Sequence, residues 1–452
     1  MIRVTHVVLT LLTVGAAGIR SQDAHAQTVS LESLLAEADS ASPQIEAARS
    51  AAESAAARVP QAGALPDPMI GIGFMNIPVA DPGLGNDMMT MTQLQVSTRL
   101  PWPGKLGLQE DIAGLRAETA EWEVRRVRDR VRADVKAAYF EIYFVDRAIA
   151  VTTRNGSLLA DFADLTAVRY GVGTGRQPDV LKAQVERTRL ADQGVVLRAR
   201  RVRAEARLNA LLGRPSNTRV PATELPEAVR LVALDDAGTG STFTSAVLDT
   251  SALDDSSGAP GTSSLPSLAE LQRLALEHSP AIRAQEMRVA AEERTRSLAG
   301  TAKRPDVSVS AGYSFRRGLG DFFNVMVSAP VPIFAGRKQN QGVVEAEALV
   351  EERRSALSAT IDAVNGEIAS LAADLRRARD QLTLLNDGIL PQARTGLSSA
   401  TASYRVGGVD FLTLLDAQVT LFRHELDYHR LLSDFATNLA ALERAVGTEV
   451  LR

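Results

Sequence analysis

Two stretches of this chain carry one motif. Arg169-Tyr170-Gly171-Val172-Gly173-Thr174, with Leu181-Lys182-Ala183-Gln184 behind it, returns as Ser403-Tyr404-Arg405-Val406-Gly407-Gly408 with Leu415-Asp416-Ala417-Gln418 behind it. The spacing is constant at 234 residues, from Tyr170 to Tyr404 and from Gln184 to Gln418, and the glycines Gly213 and Gly447 keep it. Solenoid repeats have periods of roughly 20–50 residues, so a period this long means two copies of one large structural unit. Whatever one half folds into, the other half must fold into as well.

Each copy opens on a helix. Leu31, Leu34, Leu35 and Ala38 share one face of a segment from Ser30 to Gly63 that Ser42-Pro43 breaks or kinks. Its partner runs from Ser267 to Gly300 with Ser279-Pro280, offset by 237 residues, and Pro68 and Pro305 keep that offset. After each proline the period switches to strict alternation, which predicts strands. Ile70, Ile72 and Phe74 form one apolar row, and Leu94, Val96, Thr98 and Leu100 a second. The second copy supplies Val307, Val309, Ala311, Tyr313 and Phe315, then Phe323, Val325, Val327, Ala329 and Val331. A soluble sheet with one buried face gives this pattern. So does an outer-membrane barrel with a lipid-facing apolar side, and lengths near ten residues suit it. Four strands cannot close a barrel, so the second reading requires several protomers.

The hairpins leave through Pro101-Trp102-Pro103-Gly104-Lys105 and Pro332-Ile333-Phe334-Ala335-Gly336-Arg337. Helical stretches of about 65 residues follow, from Lys105 to Tyr170 and from Lys338 to Tyr404, each on the order of 100 Å long. In the second, Ile361, Val364, Ile368, Leu371, Leu375, Ala378, Leu382, Leu385 and Ile389 alternate spacings of three and four. This predicts an unbroken heptad seam. Beyond each glycine turn a helix returns, over Asp179–Leu212 and Phe411–Val446.

Composition excludes more than it selects. A net charge of −4 leaves no nucleic-acid footprint and no polybasic membrane patch. The absence of cysteine removes disulfides, thiolate ligands and cysteine catalysis. Arg3, the apolar run from Val7 to Gly18 and Ala24-His25-Ala26 read as an export signal, residues 1–26, cleaved near Ala26. A membrane anchor is the competing reading, but the run falls short of the roughly 20 residues a spanning helix needs. No later stretch reaches that length. Residues 27–213 and 267–447 are then the two repeats, with hairpins at 69–101 and 306–332 and turns at 170–179 and 404–411. Residues 214–266 link the repeats, and 448–452 form a tail. Within the linker, Leu234 to Ser267 is too polar to bury a core and reads as an insertion.

Helix, β-hairpin, very long helix, glycine turn and returning helix, present twice in an exported chain, resembles the TolC-type outer-membrane efflux proteins over nearly the whole mature chain. Leu65-Pro66-Asp67-Pro68-Met69 and Pro101-Trp102-Pro103-Gly104-Lys105-Leu106 resemble the heavy-metal CzcC/CusC-like branch. Some members of that branch carry a lipidated N-terminal cysteine, which this chain lacks. The resemblance implies a mainly α fold: long coiled-coil helices forming a periplasmic α-barrel, and four strands per protomer in a trimeric twelve-stranded outer-membrane β-barrel. It implies a homotrimer in outer-membrane lipid, working with a periplasmic adaptor and an inner-membrane RND-type pump, with no cofactor.

The glycine turns would then be periplasmic tips. Tyr170, Val172, Gly173 and Thr174, with Tyr404, Val406, Gly407 and Gly408, match the family's adaptor-docking motif, although glycine at such a turn is equally a helix C-cap. Asp416 aligns with an acidic ring that narrows the pore and attracts cations, and Asp179 with an acidic residue paired to a tip arginine. Here Val409 stands at the arginine position and Thr413 at the second ring position, so the family's salt bridge and double ring are in doubt. Arg176 and Asp410 are a substitute pair. An alternative is that Asp416 is an ordinary solvated residue.

Met69, Met75, Met88, Met89 and Met91 put five of eight methionines into the first hairpin. Thioethers are soft ligands for Cu(I) or Ag(I), but here they read as apolar filling. His424 and His429 are five apart, not the helical i, i+4 pairing that chelates, so no metal ligands are assigned. No nucleophile–base pair, phosphate loop or ligand cluster points to an enzyme. The expected function is a passive exit duct for heavy-metal cations or drugs. A non-channel periplasmic coiled-coil scaffold or adaptor, and a type I protein-secretion duct of the same fold, are the alternatives.

Overall fold

A computed structural model describes residues 29–79, 82, 87–234 and 265–451. The export signal and most of the polar insertion lie outside the described residues.

Helix α1 (Leu31–Ala41) starts where Ser30 accepts a hydrogen bond from the Ser33 N–H at 3.2 Å, and α6 (Leu268–His278) starts the same way on Ser267. Both stop at a serine whose own N–H closes the last turn, Ser42 on the Ala38 carbonyl and Ser279 on that of Ala275. The proline that follows cannot donate, so it opens a new helix: α2 (Pro43–Gly63) and α7 (Pro280–Gly300). The duplicated Ser-Pro is therefore a break in both copies.

Strands β1 (Met69–Met75), β2 (Met91–Leu100), β3 (Val307–Arg316) and β4 (Phe322–Ser328) form one antiparallel sheet in the order 1-2-3-4. The second hairpin ends earlier than the alternation suggested. Pro330 ends the pairing, and Val331 stands 77% exposed in the exit turn. Register aligns the apolar rows across all four strands: Ile70 faces Val96, Val96 faces Ala311 and Ala311 faces Val325. The next row runs Ile72, Leu94, Tyr313, Phe323. The other face carries Gln93, Gln95, Ser97, Ser308, Ser310 and Ser314. At the sheet's base, Asp306 Oδ1 accepts from Lys105 Nζ at 2.7 Å and from the Trp102 N–H at 3.0 Å. Lys105 also donates to the Arg304 carbonyl, so one ammonium ties the exit of the first hairpin to the start of the second.

From that clasp runs α3 (Lys105–Gly171), whose 67 residues span on the order of 100 Å. The return helix α4 (Gln177–Leu211) covers its far part and α2 its near part. After α5 (Glu227–Leu234), the second copy gives α8 (Gln339–Thr383), α9 (Leu390–Arg405) and α10 (Phe411–Val446). Laterally the order is α2 with α4, then α3, then α7 with α10, then α8 with α9.

The expected unbroken seam is interrupted. Residues Leu384–Ile389 wind as a π-helix, closed by the Leu390 N–H on the Leu385 carbonyl. Pro391 is the reason: in a regular helix its ring would meet the carbonyl four residues back, and one wide turn relieves that clash. Along the seam Val364, Ile368, Leu375, Ala378, Leu382 and Leu385 are buried and Leu371 is half-buried, but the wide turn rotates Ile389 outward to 38% exposure.

Two apolar clusters hold the middle of the bundle. One joins α1, the start of α2, α3 and the end of α4 around Leu34, Ile45, Phe140 and Leu208. The other joins α5, α6, α8 and α10 around Leu271, Ile368, Phe435 and Leu442. Each fully buried side chain of this size contributes roughly 1.5–3 kcal/mol. Both return helices end in a left-handed glycine seated on the Ser-Pro break of its own copy: Gly213 against Ala41 and Pro43, and Gly447 against His278 and Pro280.

Candidate functional site

The duplicated motif forms two tips at the far end of the long helices. At the first, the Gly173 N–H bonds to the Tyr170 carbonyl at 3.0 Å and the Thr174 N–H to that of Arg169 at 2.9 Å. At the second, Gly407 bonds back to Tyr404 at 3.1 Å and Gly408 to Ser403 at 2.8 Å. This pair of bonds is the Schellman closure, which needs a left-handed residue; Gly173 and Gly407 have φ of 77° and 80°. Val172 and Val406 are left at the apices, 69% and 86% exposed. The repeated glycines are thus helix caps, and capping is what projects the valines into solvent.

The copies are not equivalent. Tyr404 is 4% exposed and belongs to a core with Phe411, Leu414, Leu415 and Phe162, whereas Tyr170 is 49% exposed. Burial, the largest influence, pushes the Tyr404 hydroxyl above its usual range, and Asp179 across the gap acts in the same direction. Arg169 makes the difference. It reaches from the first tip to the second, donates to the Tyr404 carbonyl and lays its guanidinium 4.8 Å from the centre of the Tyr404 ring. Nothing in the motif alone gives Arg169 this role; the one signal for it is the mismatch with Ser403 at the same place in the other copy.

Arg176 and Asp410 occupy matched positions, each preceding the first residue of its return helix. Asp410 caps α10 by accepting from the Thr413 N–H at 2.9 Å and its hydroxyl at 2.6 Å. Those bonds, with a smaller contribution from Arg176, hold the Asp410 carboxyl below its usual range. The two side chains attract but form no ion pair among the described residues. Asp179 lies in the first turn of α4, where its charge suits the helix dipole. Asp416 and its counterpart Lys182 are both exposed.

A second asymmetry lies deeper. Gln418 is 2% exposed and donates to Asn155 Oδ1 at 3.1 Å, while Asn155 Nδ2 bonds to the Val151 carbonyl. Gln184, the copy of Gln418, is exposed. So is the rest of that stripe: Leu181 is 54% and Val185 51% exposed, where Leu415 is 4% exposed. The face of α10 that packs on α3 is matched by an uncovered face of α4. We expect Gln418→Leu to destabilise the protein by about 1–3 kcal/mol because it strands the Asn155 oxygen. The double variant N155L/Q418L should recover part of that loss in denaturant unfolding.

His429 packs against Tyr143 and Tyr428 with ring centres 6.3 and 5.4 Å away. Burial first, then Arg147, pulls its pKa down to about 4. His424 instead faces Asp427 at 3.6 Å.

At the opposite end, the apolar face of the sheet is bare. Ile70, Ile72, Phe323, Val325 and Val327 are between 60% and 74% exposed. The soluble alternative requires something to cover that face, and no part of the described protomer does. No helix among the described residues is long and apolar enough to cross a membrane.

Residues 34–214 and 271–448 match the family described as outer membrane efflux protein. Over 364 residues the chain is 24% identical to the cobalt-zinc-cadmium resistance protein CzcC of Cupriavidus metallidurans, covering 78% of this chain and 76% of that one. The outer-membrane channel OprN superposes with a TM-score of 0.74 at 19% identity, covering 93% of this chain and 91% of its own. VceC of Vibrio cholerae gives 0.72 at 18%, covering 93% and 96%. CusC gives 0.73 at 17%, covering 92% of each. The fold is that of the TolC-like outer-membrane channels.

Proposed function

The chain belongs to the outer membrane efflux protein family, and from that membership we propose that it is the passive exit duct of a tripartite efflux system. Three protomers each give four strands to a twelve-stranded barrel, and their helices close a tube through the periplasm. The observation that carries this reading is the sheet, with one face apolar and bare and two unpaired edges, together with no helix long and apolar enough to cross a membrane among the described residues. Lipid covers the face, and neighbouring protomers pair the edges, as backbone groups in a bilayer require.

The duplication supports the same assembly. Since α3 covers α10, the pseudo-equivalent long helix, α8 with α9, covers the bare stripe of α4 on the next protomer. The seam inside one protomer is then repeated between protomers, and Gln184 gains the buried environment that Gln418 already has.

The tips face the periplasm, and Val172-Gly173-Thr174 and Val406-Gly407-Gly408 dock an adaptor that links the duct to an inner-membrane RND-type pump. Tyr170 joins that contact, whereas Tyr404 supports it from beneath. The gate is a threefold ring of Asp416, with Arg176, Asp179 and Asp410 shaping the tips around it. Metal cations are the favoured cargo, since the relative CzcC is named for cobalt, zinc and cadmium resistance; organic drugs are second.

Purified full-length protein in planar bilayers tests the duct. Wild type should conduct poorly in a cation-selective manner, and Asp416→Ala should raise conductance several-fold while lowering cation preference. Absence of discrete conductance from both proteins would contradict the reading.

A further inference from the structure

The register of the sheet separates its methionines from every other large aliphatic side chain. The apolar face holds Ile, Leu, Val, Phe and Tyr on all four strands, and no methionine. Met69, Met75, Met91 and Met326 all stand on the opposite face, among glutamine, serine, glycine and asparagine, with Arg99, Arg316 and Phe322 toward its ends. Methionine used as apolar filling belongs on the lipid-facing side, where it would serve as well as leucine. Filling therefore does not account for its placement.

Two of them are direct cross-strand partners at the end of the hairpin away from the helices: Met75 pairs with Met91. Side chains so placed have Cβ atoms roughly 4.5–5.5 Å apart, within reach of one shared ion. The chain just before β2 brings Met88 and Met89 to the same end, 69% and 56% exposed. That turn is pinned. Asn76, at a left-handed φ of 56°, donates from Nδ2 to the Met89 carbonyl at 3.2 Å. Asp87 accepts from the Met89 N–H at 2.8 Å, and Thr90 Oγ1 donates to the Asn76 carbonyl at 3.0 Å.

We propose that Met75 and Met91, with Met88 and Met89 above them, form a thioether site for a soft monovalent metal ion, Cu(I) or Ag(I), at the outer end of the lumen. The chemistry selects the ion. Thioether sulfur is a soft, uncharged ligand that suits Cu(I) and its analogue Ag(I), not hard divalent ions. The polar face of the four strands offers no carboxylate, histidine or cysteine that would hold Zn²⁺ or Co²⁺. The charges at this end are mixed, with the Asp87 carboxylate in the turn itself and Asp321 accepting from the Arg316 N–H at 3.2 Å. Arg316 faces Met91 across the strands, with its guanidinium bonded to the Gly320 carbonyl and stacked 3.8 Å from the Phe322 ring centre. Its repulsion, like the attraction of the two carboxylates, doubles for a divalent ion, so the choice of a soft ion rests on the thioether ligands rather than on net charge. The site deepens the duct reading by naming a cargo class, and rests on that reading only for the direction the face looks; the four thioethers come from one protomer.

The test is Ag(I) titration of purified full-length protein, in detergent and chloride-free buffer, followed by metal analysis after desalting and by NMR of methyl-labelled methionines. Wild type should retain Ag(I), and the methyl signals of Met75 and Met91 should shift with Ag(I) but not with Zn²⁺. The variant M75L/M91L keeps size and apolarity and should bind Ag(I) at least roughly tenfold more weakly. The control M69L/M326L should bind as wild type does. Equal Ag(I) retention by wild type and M75L/M91L, or shifts confined to other methionines, would overturn the proposal. Electrophoretic migration of the same samples reports trimer formation independently, so failure of the duct reading and failure of the metal site are told apart.

Discussion

Gly447→Ala should be the most damaging single methyl group that can be added to this protein. Gly447 ends α10 at φ 83°, a conformation that costs an alanine about 1–2 kcal/mol. Its new Cβ would overlap the His278 carbonyl and lie 2.9 Å from Pro280 Cδ. Those atoms belong to the break between α6 and α7, which is wedged into the core around Leu271 and Leu442 and cannot retreat freely. Overpacking adds roughly 1–3 kcal/mol, for an expected total of about 2–5 kcal/mol per protomer. Gly213→Ala is the internal comparison. It carries the same kind of strain at φ 69°, but its Cβ would lie 3.0 Å from the Ala41 carbonyl, so about 1–2 kcal/mol is expected. Gly300→Ala, in open space at the end of α7, should be neutral. Thermal unfolding of the detergent-solubilised proteins should rank them in that order; a G447A protein as stable as G213A would show that the contact with the Ser-Pro break does not matter.

Ile72→Arg should act at a different stage. Ile72 is 71% exposed in the middle of the apolar face, opposite Leu94. A guanidinium at the bilayer midplane costs about 2–4 kcal/mol, and a trimer would bear it three times. The expected result is loss of most protein from the outer membrane with helix content preserved. Gln95→Lys, opposite Gly71 on the other face, meets water instead and should insert normally. If Q95K were the damaging variant and I72R the silent one, the two faces would be reversed.

The architecture was legible because the physical signals were duplicated. Ser-Pro twice, alternation twice and a glycine turn twice could each be checked against its copy, and each formed, with the last strand ending at Ser328 ahead of Ala329 and Val331. What stayed hidden were the departures between copies. The wide turn at Leu384–Ile389 left no mark in the heptad pattern, because Pro391 falls between apolar seam positions rather than on one. Burial of Tyr404 and exposure of Tyr170 could not be read from matched residues, since the difference comes from which helix lies alongside. Arg169 bridging the tips, and Asp410 turning to its own helix rather than to Arg176, are three-dimensional choices among several available partners. The methionine placement, by contrast, was available. Parity along each strand already separated Met69, Met75 and Met91 from Ile70, Ile72 and Phe74; only the pairing of the hairpins was needed to see one face.

The central claim is that this protomer is a third of an outer-membrane duct. Electrophoresis of outer-membrane fractions, heated and unheated, tests it most directly. A duct of three protomers gives a band near three times the monomer mass without heating, collapsing on boiling to no more than the 48.3 kDa of the sequence. Protein recovered as a soluble monomer from the periplasm would contradict it.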